Sequence, residues 1–214
     1  MPSAEKPKGA MASEHLRWVE SKYQRPNDFE QRLIYELLFR SPAVGCSAQS
    51  DGYIARFGLK TTEAVILLRD ELLAGVETKW CRGAADLKSR LEADYRLDHL
   101  DLEASDYAYM LVSSKTDLID REIVGLIETR KTARSKQKAE MVRQRFLEVD
   151  GIFRHLRNTL AHGAFQRFAN ARGEPLYVFQ DADSKGQVSA RLKLSEQKLR
   201  SIVSLINEAD KMGY

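Results

Sequence analysis

The run Phe153-Arg154-His155-Leu156-Arg157-Asn158-Thr159-Leu160-Ala161-His162-Gly163 places more chemically useful side chains on one predictable surface than any other segment of the 214-residue chain. At about 100° per residue, Val149, Phe153, Leu156, Leu160 and Ala164 gather on one helical arc, an amphipathic core face. Arg154, His155, Asn158 and His162 fall on the opposite arc, with Arg157 on its flank. Asn158 and His162 are four apart and therefore neighbours on a helix surface, where the amide can hold the imidazole in one orientation. Histidine moves protons near neutral pH, and arginine offers a fixed fork of donors to phosphate. This set suits RNA cleavage without a metal. One group takes the ribose 2′-hydroxyl proton, another protonates the leaving 5′-oxygen, and a cation meets the charge growing on the phosphorus oxygens. One protomer brings a single such His in this motif, so acid and base together call for a two-fold dimer that sets two copies of the helix face to face.

Arg157-Asn158, three further residues and His162, with Ala161 before the His and Gly163 after it, resemble the signature of the HEPN superfamily (higher eukaryote and prokaryote nucleotide-binding domains). The resemblance covers this motif directly and the last half of the chain more loosely. It implies a small helical bundle that dimerises so that the Arg and His of both chains line a composite cleft. It also implies a metal-independent endoribonuclease of the kind found in toxin-antitoxin, phage-defence, CRISPR-associated and RNA-processing systems. On that reading Arg157 and His162 are catalytic and Asn158 assists, RNA is the substrate, no cofactor is needed, and an antitoxin or regulatory protein is a partner. Some toxins of the superfamily carry a Tyr two residues after the motif His, where a nucleotidyltransferase antitoxin modifies them. Ala164 stands at that position, so that form of control is not supported.

Arg143, Arg145, Arg154, His155 and Arg167 are the candidate substrate contacts. His155 either faces the cleft beside Asn158 or sits at the helix surface, and the second placement is favoured. Two other readings of the motif stay open. It is the polar face of a surface helix, with His162 and Gly163 as an ordinary C-terminal cap; or it is a HEPN domain that binds nucleotide, RNA or a protein without cutting.

Net charge is +3, too slight to argue for nucleic acid, but its distribution is uneven. Between Arg130 and Arg172 eleven Lys and Arg residues stand against Glu140, Glu148 and Asp150. A local positive field of that kind draws a polyanion and makes its binding salt-dependent. A solvated basic helix face is the plainer account of the same run. The absence of a long apolar run or an apolar leader core predicts a cytoplasmic protein without a membrane partner. Cys46 and Cys81 are lone thiols, read as small buried hydrophobes in a reducing compartment. The four His and two Cys do not cluster at ligand spacing, so no metal is expected.

Several elements must position the motif. Residues 1–11 read as a flexible tail, residues 12–100 as a helical part packing on the core, and residues 101–214 as the core itself, the last two forming one compact domain. Ser13 opens a helix to about Tyr23, and Asn27 with Glu30 caps a second that carries Phe29, Leu33 and Leu37. Residues 42–58 read as a connector. A third helix is expected from Thr61 to about Trp80, and a short charged one from Ala84 to Tyr95, too acidic to be a DNA-reading helix. A long helix from about Leu102 to Thr129 should pair with the motif helix as an antiparallel hairpin at the heart of a bundle. Leu176 to Phe179 and Val188 to Leu194 read as a small β-hairpin turning at Asp181 to Gly186, followed by a final helix from Ser195. The expected fold is thus mainly α: a HEPN-like helical bundle with a small C-terminal β-hairpin and a last helix.

Overall fold

A computed structural model describes residues 26–40, 62–91, 101–111 and 133–211. The expected first helix, the connector at 42–58, Cys46 and the stretch 112–132 lie outside the described residues. Helix α1 (Asp28–Ile34) begins with the expected capping box: the Asn27 side chain accepts from the Glu30 N–H, and the Glu30 carboxylate accepts from the Asn27 N–H, both at 2.8 Å. A π-helical turn, Tyr35–Arg40, continues it, and Phe29, Leu33 and Leu37 are buried. Helix α2 (Thr62–Leu73) stops short of the expected Trp80. Gly75 takes a φ of 74°, open to glycine at little steric cost, and the β-favouring run after it becomes strand β1 (Glu77–Cys81). Helix α3 (Ala84–Leu91) follows and buries Leu87 and Leu91.

The next stretch overturns the mainly α expectation. Tyr107–Leu111 forms strand β2, not the start of a long helix. A five-residue apolar run fits either period, and pairing partners far away in sequence decide it. Helix α4 (Ala133–Ala161) carries the motif and leads into β3 (Phe165–Ala169), β4 (Pro175–Ala182), β5 (Val188–Ser195) and α5 (Glu196–Lys211). The strands form one five-stranded mixed sheet in the order β1-β2-β5-β4-β3, in which β1 and β2 are parallel and every other pair is antiparallel. The expected hairpin is therefore the inner part of a sheet, and the chain is not a helical bundle. Strands β1 and β2, on either side of residue 100, pair in parallel.

Alternation along the strands divides the sheet into two faces. Ala108, Met110, Tyr177, Phe179, Ala190, Leu192 and Leu194 share the main core with side chains of α1, α2, α4 and α5. On the other face Tyr107, Leu176 and Val178 form a smaller cluster, and α3 packs Leu87 and Leu91 against Cys81. The register puts Trp80, Met110, Ala190 and Asp181 in one row across four strands, at the end where β4 and β2 finish. Helix α4 lies over this row. A Cβ built on Gly151 would stand 3.0 Å from the Trp80 ring and 3.3 Å from Met110 Sδ, so the missing side chain sets how closely the helix approaches the sheet.

A glycine inside a helix normally costs about 1 kcal/mol relative to alanine. Gly151→Ala should nevertheless lower stability, because overpacking against Trp80 costs about 1–3 kcal/mol. Thermal unfolding of the variant checks this, and a rise in melting temperature would show that the helix does not press on Trp80.

Candidate functional site

The end of α4 is closed by backbone geometry. The Ala164 N–H donates to Thr159 O at 2.7 Å and the Gly163 N–H to Leu160 O at 3.3 Å, while Gly163 takes a φ of 63°. This is the Schellman arrangement, which needs a residue at ease in the left-handed region. His162 is the cap residue and is exposed, with its N–H donated to Asn158 O at 3.0 Å. Val149, Phe153, Leu156 and Leu160 are buried, each by 94% or more, so the apolar arc lies where its periodicity put it.

Part of the polar arc, at His155 and Asn158, faces the sheet, while His162 stays exposed. The register row sits beneath Gly151, His155 and Asn158, which share one side of α4, so the helix is packed on two sides. His155, favoured from sequence for the helix surface, is only 4% exposed. Its Nδ1 donates to Asp181 Oδ2 at 2.7 Å, and the Asn158 amide donates to the same oxygen at 3.1 Å. The Asn158 amide thus engages β4, where the sequence had it holding the His162 imidazole. Nε2 of His155 is buried and finds no hydrogen-bond partner among the described residues.

Asp181 was read from sequence only as the start of a turn. One signal could have found it: Tyr177, Phe179 and Asp181 alternate on one strand face, so a carboxylate continues an apolar row. Burial acts to raise its pKa, but the hydrogen bond and charge of His155, with hydrogen bonds from Asn158 and Ser189, hold the carboxyl below its usual value.

The candidate arginines scatter. Arg154 and Arg157 are half-buried near the end of α4, and Arg157 Nε is buried without a hydrogen-bond partner among the described residues. Five residues apart, Arg157 and His162 leave the helix about 140° from one another. Arg143 and Arg145 stand at least twelve residues before Arg157, roughly 18 Å along the axis. Arg145 lies 3.5 Å from the buried Glu148, which Arg69 of α2 holds at 2.6 Å, and Arg143 lies 3.7 Å from Glu140. Arg167 on β3 points to α1, with its guanidinium 3.5 Å from Glu30. Of the sequence candidates, the fold therefore brings together His155 and Asn158 on Asp181, with Arg154, Arg157 and His162 within two turns. It leaves Arg143, Arg145 and Arg167 elsewhere.

Burial raises the pKa of the Cys81 thiol, consistent with a small buried hydrophobe. Among the described residues no group of three or more His, Cys, Asp or Glu is arranged to hold a metal ion, and no helix is long and apolar enough to cross a membrane. No family model matches the chain, and no curated protein or solved structure matches it.

Asp181 makes stability depend on pH with a definite sign. Because the folded carboxyl titrates below its unfolded value, its contribution is complete above the unfolded value, near pH 4. It is lost as pH falls through the lower folded value. Urea unfolding of wild type and Asp181→Asn should differ by about 2 kcal/mol near neutral pH, the strength of hydrogen bonds to a charged group. The gap should close in acid; a gap that stays constant with pH would mean that the carboxylate charge is not what holds His155.

Proposed function

We propose that the chain is a metal-independent endoribonuclease of HEPN type, acting on RNA at the C-terminal end of α4. The observation that carries this reading is the exposed His162 at the cap of a tightly closed helix, five residues beyond the half-buried Arg157. In the mechanism one His162 removes the ribose 2′-hydroxyl proton, and O2′ attacks phosphorus in line with the 5′-oxygen. A second His162 protonates that oxygen as its bond to phosphorus breaks. The products are a 2′,3′-cyclic phosphate, or the 3′-phosphate after hydrolysis, and a 5′-hydroxyl.

Since each chain supplies one exposed His of this motif, the active form is a homodimer. Arg157 meets the charge on the phosphorus oxygens. A cation is required there because the C-terminal end of a helix carries partial negative charge and by itself repels phosphate. The setting is cytoplasmic, in a toxin-antitoxin or phage-defence system, with an antitoxin or regulatory protein restraining the activity.

One observation favours a second reading, a module that binds nucleotide, RNA or protein without cutting. The Asn158 amide is engaged by Asp181 and leaves the imidazole of His162 to be oriented by its backbone position.

Cleavage assays in EDTA separate the two. Wild type should cut RNA and leave 5′-hydroxyl ends, while His162→Ala and Arg157→Ala should lose about 10²- to 10⁴-fold, the range for removing a proton-transfer or charge-stabilising group. His162 is exposed, so its variant should melt with the wild type. A His162→Ala protein that cuts at the wild-type rate would refute the mechanism. RNA binding without cleavage by any form would favour the module.

A further inference from the structure

We infer that Asp181 is a positioning residue of this site, acting through Asn158 and His155 to set the direction in which the end of α4 presents His162 and Arg157; as a statement about activity, this rests on the nuclease reading. The other members of its cross-strand row, Trp80, Met110 and Ala190, are apolar. An apolar side chain would fill the fourth place at lower cost, since a buried ion pair is often no more stabilising than a hydrophobic replacement of similar volume. A carboxylate adds direction. Its Oδ2 receives donors from residues three apart on one helix, at 2.7 and 3.1 Å, and two such bonds fix the rotation of the helix about its axis as well as its height over the sheet.

The constraint passes directly to the motif. The carbonyl of Asn158, whose side chain is tied to Asp181, accepts the His162 N–H at 3.0 Å. Beyond His162 the chain is tied again, because the Gln180 N–H donates to Ala164 O at 3.0 Å. His162 is strung between two anchors on consecutive residues of β4, one reached through the helix and the other through the backbone that leaves it. Side-chain tips lie about 6 Å from a helix axis, so a rotation of about 20° moves them about 2 Å. A misplacement of about 1 Å can cost about 10²-fold in rate.

The test is an exchange of partners. Asn158→Asp sets a second carboxylate against Asp181 and removes a donor, and Asp181→Asn keeps an acceptor oxygen but removes the charge that both donors meet. The double variant Asp181→Asn/Asn158→Asp restores a donor–carboxylate pair with the roles reversed, the amide oxygen at 181 still accepting from His155. On an RNA with one cleavage site, each single variant should lower kcat by about 10- to 100-fold per folded molecule with KM within about twofold. The double variant should recover most of that loss. In ¹H–¹³C spectra the His162 ring resonance should move in the single variants and return in the double variant. If Asp181→Asn does not fold, Asn158→Ala, which leaves the His155 bond to Asp181 in place, takes its role and should show the same kcat loss and ring shift.

Melting temperatures that fall while kcat per folded molecule and the His162 resonance stay put would reduce Asp181 to a structural residue and overturn the inference. If wild type cuts no RNA, the nuclease reading fails by itself. The His162 resonance, moved in the single variants and restored in the exchange, still decides whether Asp181 positions this helix end.

Discussion

A single carboxylate beneath the motif helix constrains the rest of the structure. Asp181 sits 6% exposed at the edge of an apolar row and receives His155 and Asn158 on one oxygen. An unpaired charge in such a place would be costly, so the two donors favour the rotation in which helix and strand are docked. That rotation lays Gly151 over Trp80 and Met110, the one stretch of α4 where the absence of a side chain lets helix and sheet meet at close range. The same docking sends the apolar arc of α4 toward α2 and the π-helical turn Tyr35–Arg40, where Phe153, Leu156 and Leu160 join the main core. Polar pairing fixes the geometry and apolar burial stabilises it.

Other buried charges follow the same rule and tie distant segments together. Glu148 on α4 is met by Arg69 from α2 and by Arg145 from its own helix. Lys193 on β5 donates to the carbonyls of Asp101 and Ala104, which fastens the approach to β2. Lys198 at the start of α5 donates to the carbonyls of Glu71 and Ala74, satisfying the last turn of α2. Arg191 is 1% exposed and binds Gln180 across the paired strands. These contacts also change the electrostatic picture. Arg145 and Arg167 are near Glu148 and Glu30, so the positive field at the end of α4 is smaller than the local count of basic residues suggests. Arg154 and Arg157 are the arginines in the last three turns of α4.

What could be read from the chain was the local part. The capping box at Asn27 and Glu30, the apolar arc from Val149 to Leu160, the break at Gly163 and the strands at 176–179 and 188–194 each depend on residues within a few positions of one another. The segments that depart from their helical period share another feature. Trp80 and Tyr107 to Leu111 were assigned to helices because their apolar spacing also fits a helical period, and β3 was not anticipated after the motif. Each of these segments is a strand because of hydrogen bonds to partners brought in by the fold, and such bonds leave no mark in a window of neighbouring residues.

The site divides along the same line. The sequence by itself determined which residues could do chemistry, and that Arg157, Asn158 and His162 ride on one helix ending close to Gly163, because side-chain identity and helical period are local properties. Only the tertiary structure decided that His155 and Asn158 rest on a sheet, that His155 is buried, and that Asp181, 23 residues beyond Asn158, holds both. The reason is physical. A buried carboxylate takes its partners from whatever donors the fold places within about 3 Å, and helix docking on the sheet makes that choice between residues far apart in the chain.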